Sequence, residues 1–148
     1  MANHRAEQIM VAFEAAITGL TTTGTNVKRD RVYAWTTTPA ISLFQGDDVP
    51  VPYADRNYSI DDYELTIHVE MHVDEANSIP VSQTLNQIRK EVIIAIQADP
   101  YLGLPSFVID TEEGTAFRPS IEHIDKVTAT QVMDFTVKYR RSRTDPSA

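Results

Sequence analysis

The sequence predicts an α+β fold of two layers, in which two helices pack on one mixed, mostly antiparallel sheet. Two segments carry apolar residues at spacings of three and four, which is typical of helices that pack on a core. Between and after them, apolar and polar residues alternate, which is typical of strands with one buried face. The 148 residues include no cysteine. A chain of this length can bury a core without disulfides or a structural metal.

The first helix is predicted over residues 5–18. Ile9, Phe13 and Ile17 recur at helical spacing and form one apolar stripe. Asn3 is expected to cap the start of this helix, because its side chain can accept a backbone N–H.

Two strands are predicted next, over residues 27–35 and 40–45. Residues 46–61 then lose any period and contain two prolines and four aspartates, which predicts a long loop. The clearest strand covers residues 63–74, where twelve residues alternate strictly between apolar and polar. One face of this strand is therefore expected to contact the core, and the other to face water or a partner.

The second helix is predicted from about residue 80 to residue 98. Val81, Leu85, Ile88 and Val92 form its apolar stripe. Asp99-Pro100 is expected to end it, because the residue before a proline is biased away from helical geometry.

The remaining elements are predicted to be strands joined by a turn. Residues 107–109 form a short apolar strand, residues 110–114 an acidic turn, and residues 121–124 another extended segment. The last long strand is predicted over residues 127–140.

We interpret residues 1–141 as a single domain and residues 142–148 as a flexible C-terminal tail. Neither a secretory signal nor a membrane span is evident, because no apolar run is long enough. The chain is therefore expected to be soluble and cytosolic.

The net charge of −8 is concentrated in one part of the sequence. Residues 44–75 contain nine acidic residues and one arginine, whereas the rest of the chain holds 12 acidic and 12 basic residues. The chain ends on a basic run. An acidic protein is poorly suited to wrap nucleic acid, because binding to phosphate requires clustered lysine and arginine. Opposite charges on separate patches would instead allow copies to meet.

One cluster is a candidate for metal chemistry. His68, Glu70 and His72 project from one face of a predicted strand at intervals of about 7 Å. Two imidazoles and a carboxylate can hold a metal ion. The two histidines are about 13 Å apart along the strand, so an ordinary polar strand face is the favoured interpretation. We predict no catalytic, cofactor-binding or metal-binding residue, and no enzyme; a metal-dependent enzyme using this trio stays an alternative.

Several segments together resemble the tail terminator proteins of long-tailed, non-contractile bacteriophages. These segments are residues 7–20 (EQIMVAFEAAITGL), the threonine-rich turn to Thr23-Gly24, residues 27–33, residues 88–103 (IRKEVIIAIQADPYLG) and residues 135–140 (FTVKYR). The resemblance covers most of the chain in element order, size and acidity.

The resemblance implies a structural virion protein without cofactors that forms a homohexameric ring on the head-proximal end of the tail tube. Such a ring stops polymerisation of the major tail tube protein and meets the head connector or head-closure protein. Genomic DNA passes through it without specific binding, and no membrane is involved. Assembly takes place in the host cytoplasm. A head-closure or tail-completion protein of the neck is the alternative within the virion.

Under this hypothesis, the acidic face of residues 63–74 or the loop at residues 46–61 lines the channel or meets the tube. The basic end makes a contact between subunits or with a partner. The interface residues predicted on this basis are Asp47, Asp48, Asp61, Asp62, Glu64, Glu70, Arg140, Arg141 and Arg143.

Overall fold

The computed structural model describes residues 2–51, 59–76 and 78–148. Two helices pack on one six-stranded mixed sheet, which confirms the predicted two-layer α+β fold. In chain order the elements are α1 (Arg5–Ile17), β1 (Val27–Arg29), β2 (Ala40–Pro50), β3 (Ile60–Asp74), α2 (Val81–Ala98), β4 (Val108–Ala116), β5 (Ser120–His123) and β6 (Val127–Ser142).

The sheet is organised around its two longest strands. Its order is β1-β2-β3-β6-β4, and β5 pairs with the start of β6 on the same side as β4. Only β1 and β2 run parallel, and the other pairs are antiparallel. β3 and β6 pair over fifteen residues without a register shift, from Ile60 opposite Ser142 to Asp74 opposite Thr128.

The core lies between the helices and one face of this sheet. The apolar stripe predicted for the strand at residues 63–74 is confirmed, since its residues from Leu65 to Val73 are buried at every second position. Phe13 of α1 meets Phe135 of β6 edge to face, with ring centroids 5.4 Å apart. The other fully buried side chains of α1 and α2 are Ile9, Met10, Ile17, Leu85, Ile88, Val92 and Ile96.

One polar contact lies at the margin of this core. The buried Tyr139 hydroxyl donates a hydrogen bond to Asp48 Oδ2 at 2.6 Å. Burial raises the pKa of Tyr139, and the hydrogen bond to Asp48 raises it further. Asp48 is thus held by a residue of the core rather than being a free surface charge.

The first predicted strand is shorter than expected. β1 ends at Arg29 instead of residue 35, because Asp30 adopts a left-handed φ of 54° that no strand can contain. The Asp30 N–H donates to Leu43 O of β2 at 2.9 Å. The alternation of residues 31–35 therefore does not form a ladder.

The predicted loop at residues 46–61 is strand at both of its ends. β2 continues to Pro50 through a bulge, and β3 already begins at Ile60. The middle of the predicted loop, residues 52–58, lies outside the described residues. The aspartates and prolines conceal these strand ends, because both residue types are rare in strands.

The predicted acidic turn at residues 110–114 is also strand. These residues lie inside β4, on the outer edge of the sheet, where most of their side chains are exposed. An edge strand needs no continuous apolar face, and charged residues protect it from pairing with other chains.

The start of α1 differs from expectation, and the end of the chain contacts it. His4, not Asn3, caps α1, and its Nδ1 accepts the Ala6 N–H at 3.0 Å. The tail at residues 142–148, predicted to be flexible, returns to this helix, where Pro146 O accepts the Arg5 N–H at 2.9 Å.

We predict that Phe135→Ala lowers the free energy of unfolding by about 3–5 kcal/mol, because it leaves a cavity under α1. The measurement is urea unfolding followed by circular dichroism. Ile94→Ala, at an exposed position of α2, is the control and should stay within about 0.5 kcal/mol of wild type. Equal effects of the two substitutions would contradict the packing described here.

We also predict a pH dependence that originates at Tyr139. A phenol with a raised pKa in the folded state favours folding while it stays protonated, so this contribution is lost as pH rises above the unfolded value of about 10. Between about pH 9 and pH 11, wild-type stability should fall more steeply than that of Tyr139→Phe. Parallel curves would show that Tyr139 titrates alike in both states.

Candidate functional site

The sheet face opposite the helices is polar, and we call it the polar face. It is centred on the even-numbered residues of β3 from Glu64 to Asp74, which are all half-buried. The facing positions of β6 carry Asp134, Thr136 and Lys138. Because side chains alternate strictly on these two long paired strands, the face of the sheet opposite the core carries mainly polar side chains.

Acidic and basic side chains pair with each other at one end of β3 and β6. Asp62 binds Arg140 Nε at 2.7 Å, and Asp61 binds both Nε and Nη2 of Arg143 at 3.0 and 2.9 Å. We call these four residues the ionic ladder. The aspartates raise the pKa of both arginines through these hydrogen bonds. Antiparallel pairing produces the ladder, because it sets the acidic start of β3 beside the basic end of β6.

The expectation of separate acidic and basic patches is therefore wrong for this part of the chain. Arg141, the third predicted arginine, stacks on the Tyr63 ring with its guanidinium carbon 4.0 Å from the ring centroid. Glu64 lies opposite Lys138 in register, and Lys138 binds Glu112 of β4 at 3.1 Å.

The other predicted interface residues are dispersed. Asp47 is exposed on β2, Asp48 binds Tyr139, and Glu70 contacts His72. The prediction that all nine residues serve an interface stays a prediction. The charged groups of six of them already contact another side chain of this chain, and Arg141 stacks on the Tyr63 ring.

A histidine and an aspartate form the centre of the polar face. His68 Nδ1 lies 2.6 Å from Asp134 Oδ1 on the neighbouring strand. Two glycines flank the pair: a Cβ at Gly46 would lie 2.7 Å from His68 Nε2, and a Cβ at Gly114 would lie 3.0 Å from Asp134 O. The imidazole and the carboxylate lie on the sheet because both neighbouring positions lack side chains. The sequence gives no sign of this pair, since the two residues are 66 positions apart.

His72 makes a second, separate cluster. Its Nε2 contacts Glu70 Oε1 at 3.1 Å and Ser42 Oγ at 3.3 Å. Trp35 donates a hydrogen bond to Ser42 Oγ at 3.0 Å, and its ring lies over this end of the face, 6.5 Å from the His72 ring. Burial lowers the pKa of His72, in spite of the opposing charge of Glu70.

The arrangement does not favour a metal ion bound by His68, Glu70 and His72. His68 is engaged with Asp134, whereas His72 and Glu70 contact each other. Within residues 2–51, 59–76 and 78–148, no three His, Asp or Glu side chains lie close enough together to hold one ion. In the same residues, neither helix is both long and apolar enough to cross a membrane.

The chain matches no protein-family model, and it matches no curated protein.

We predict that Gly46→Ala destabilises the protein by about 1–3 kcal/mol, because the new Cβ overlaps the His68 ring. In a His68→Ala background the same change should cost clearly less, since only the 3.0 Å approach of the new Cβ to Thr66 O remains. Urea unfolding of the wild type, both single variants and the double variant gives the coupling. If the two changes add without coupling, His68 does not lie over Gly46.

Proposed function

We propose that this chain is a structural subunit of a phage tail that forms a ring on the head-proximal end of the tail tube. There it stops tube polymerisation and provides the surface that joins the head. The resemblance of the sequence supports this role, and the two-layer α+β fold agrees with the fold that the resemblance implies.

The ionic ladder is the observation that carries the proposal. A protein that surrounds moving DNA has to avoid binding phosphate, because each lysine or arginine contact to phosphate adds affinity. Arg140 and Arg143 could each bind phosphate, but Asp62 and Asp61 hold them at 2.7 and 2.9 Å. Two of the three arginines at the basic end are thereby neutralised. With a net charge of −8, the surface repels DNA rather than holds it.

Ion pairs of this exposed kind contribute little to stability. The ion pairs fit a surface role better than a structural one. The fifteen paired residues of β3 and β6 already hold these two strands together.

The direct test uses the tail tube protein encoded by the same genome. Polymerising tubes should stop growing when the purified chain is added, and negative-stain electron microscopy should show a ring at one end only. Unchanged tube growth and bare tube ends would reject the proposal. Binding to DNA-filled heads in the absence of tubes would favour a head-closure role instead.

We predict that releasing the arginines creates DNA binding. Asp61→Asn combined with Asp62→Asn should raise affinity for duplex DNA about tenfold or more at low ionic strength, because two cationic side chains become available for phosphate. Fluorescence anisotropy measures it. The control combines Asp47→Asn with Glu113→Gln, which changes net charge equally at exposed positions away from the ladder. Equal gains in both variants would mean that net charge, not the ladder, controls DNA binding.

A further inference from the structure

Two exposed apolar patches lie at different places on the sheet. The first, which we call the arm tip, consists of Val32 and Tyr33 in the segment between β1 and β2. Each of the two side chains is 78% exposed. A valine and a tyrosine exposed side by side on a small protein mark a candidate contact surface, since aromatic residues are enriched at interfaces.

The arm tip is held in place on both sides. Before it, the Asp30 N–H donates to Leu43 O at 2.9 Å. After it, Trp35 Nε1 donates to Ser42 Oγ at 3.0 Å, and the Arg31 guanidinium stacks on the Trp35 ring at 4.4 Å. Both anchors are on β2, so the tip is a fixed projection and loses little freedom on binding.

The second patch is a groove beside β5, which we call the β5 groove. It has a volume of about 630 Å³, and it lies between the end of β3, the start of α2 and β5. Ile121 and Ile79 line it with 57% and 47% of their surfaces exposed. Ile124, 85% exposed, follows β5 directly. The groove is large enough to receive an aromatic side chain.

The two patches carry opposite charges. Lys28, Arg29, Asp30 and Arg31 precede the arm tip, and Arg29 is bound to Glu7. Glu75 lines the β5 groove and is exposed, as is Asp125 in the turn between β5 and β6. Lys126 of the same turn is bound to Asp74. Charge complementarity of this kind steers two surfaces together and fixes their orientation.

The patches do not cover each other within one chain, because both are exposed. β3 and β6 lie between β2, which anchors the arm tip, and β5. The distance from β2 to β5 across the sheet is roughly 14 Å. A contact between them therefore joins different copies in a head-to-tail manner, which closes into a ring when the rotation fits.

Two exposed edge segments of the sheet carry acidic residues. Asp47 lies on β2 beyond its pairing with β1, and Glu113 lies on the edge strand β4. Like charges on two edges disfavour direct strand pairing between copies.

We propose that the arm tip of one copy docks in the β5 groove of the next copy, with Tyr33 as the anchor. This inference rests on the proposed ring and assigns the surfaces that build it. Lys28 and Arg31 of the first copy then face Glu75 and Asp125 of the second.

Disulfide crosslinking tests the contact, because the natural chain has no cysteine. Tyr33→Cys combined with Ile121→Cys is mixed with tail tubes and oxidised, and products are separated under denaturing, non-reducing conditions. A ladder of covalent oligomers that ends at one closed size is expected. The matched control, Tyr33→Cys with the exposed Ile94→Cys on α2, should stay monomeric.

The remaining outcomes separate this contact from the ring itself. If rings cap the tubes but no covalent oligomers form, or if the disulfide forms within single chains, the docking surfaces are wrong and the proposed ring is unaffected. If the wild-type protein does not cap tubes, both the proposed ring and the proposed docking contact are wrong. Tyr33→Ser without added cysteines should require at least about tenfold more protein to cap tubes, whereas Ile94→Ser should cap them as wild type does.

Discussion

The fifteen-residue antiparallel pairing of β3 and β6 is the constraint on which the rest of this structure depends. One register fixes both faces, because side chains alternate and a slip of one residue would exchange core and surface. On one face it sets Phe135 under α1. On the other it sets His68 beside Asp134 and Asp62 beside Arg140. Core and polar face are thus two consequences of a single alignment.

The sequence predicts those parts of the molecule that depend on local pattern. The strict alternation of β3 and the stripes of both helices are confirmed, because burial imposes a period on nearby residues. Only the start of β4 is predicted, within the strand at residues 107–109, since an exposed edge strand can carry Asp110, Glu112 and Glu113 without an apolar period. The pair of His68 and Asp134 could not be predicted either. It depends on which strands become neighbours, and no local pattern contains that information.

The sequence contains an acidic window and a basic end, but it does not show how the two are related in space. As a sequence, the two are separate blocks, which suggests two patches. Once β3 and β6 pair, the start of the first meets the end of the second, and Asp61 and Asp62 face Arg143 and Arg140. The net charge is the same, but the charges are distributed differently over the surface than the sequence suggests. The paired charges are balanced locally, whereas Asp47, Glu75 and Glu113 stay exposed elsewhere on the surface.

The polar face and the two apolar patches differ in how much they could gain by binding another molecule. On the polar face, carboxylates, imidazoles and guanidinium groups already contact one another, so a ligand would have to replace existing hydrogen bonds and gain little. The arm tip and the β5 groove carry exposed apolar area whose burial is favourable. In the proposed ring, the driving force for association would come from these two patches, where exposed apolar and charged groups coincide. A ring joined through these two patches would leave the polar face available to line a passage.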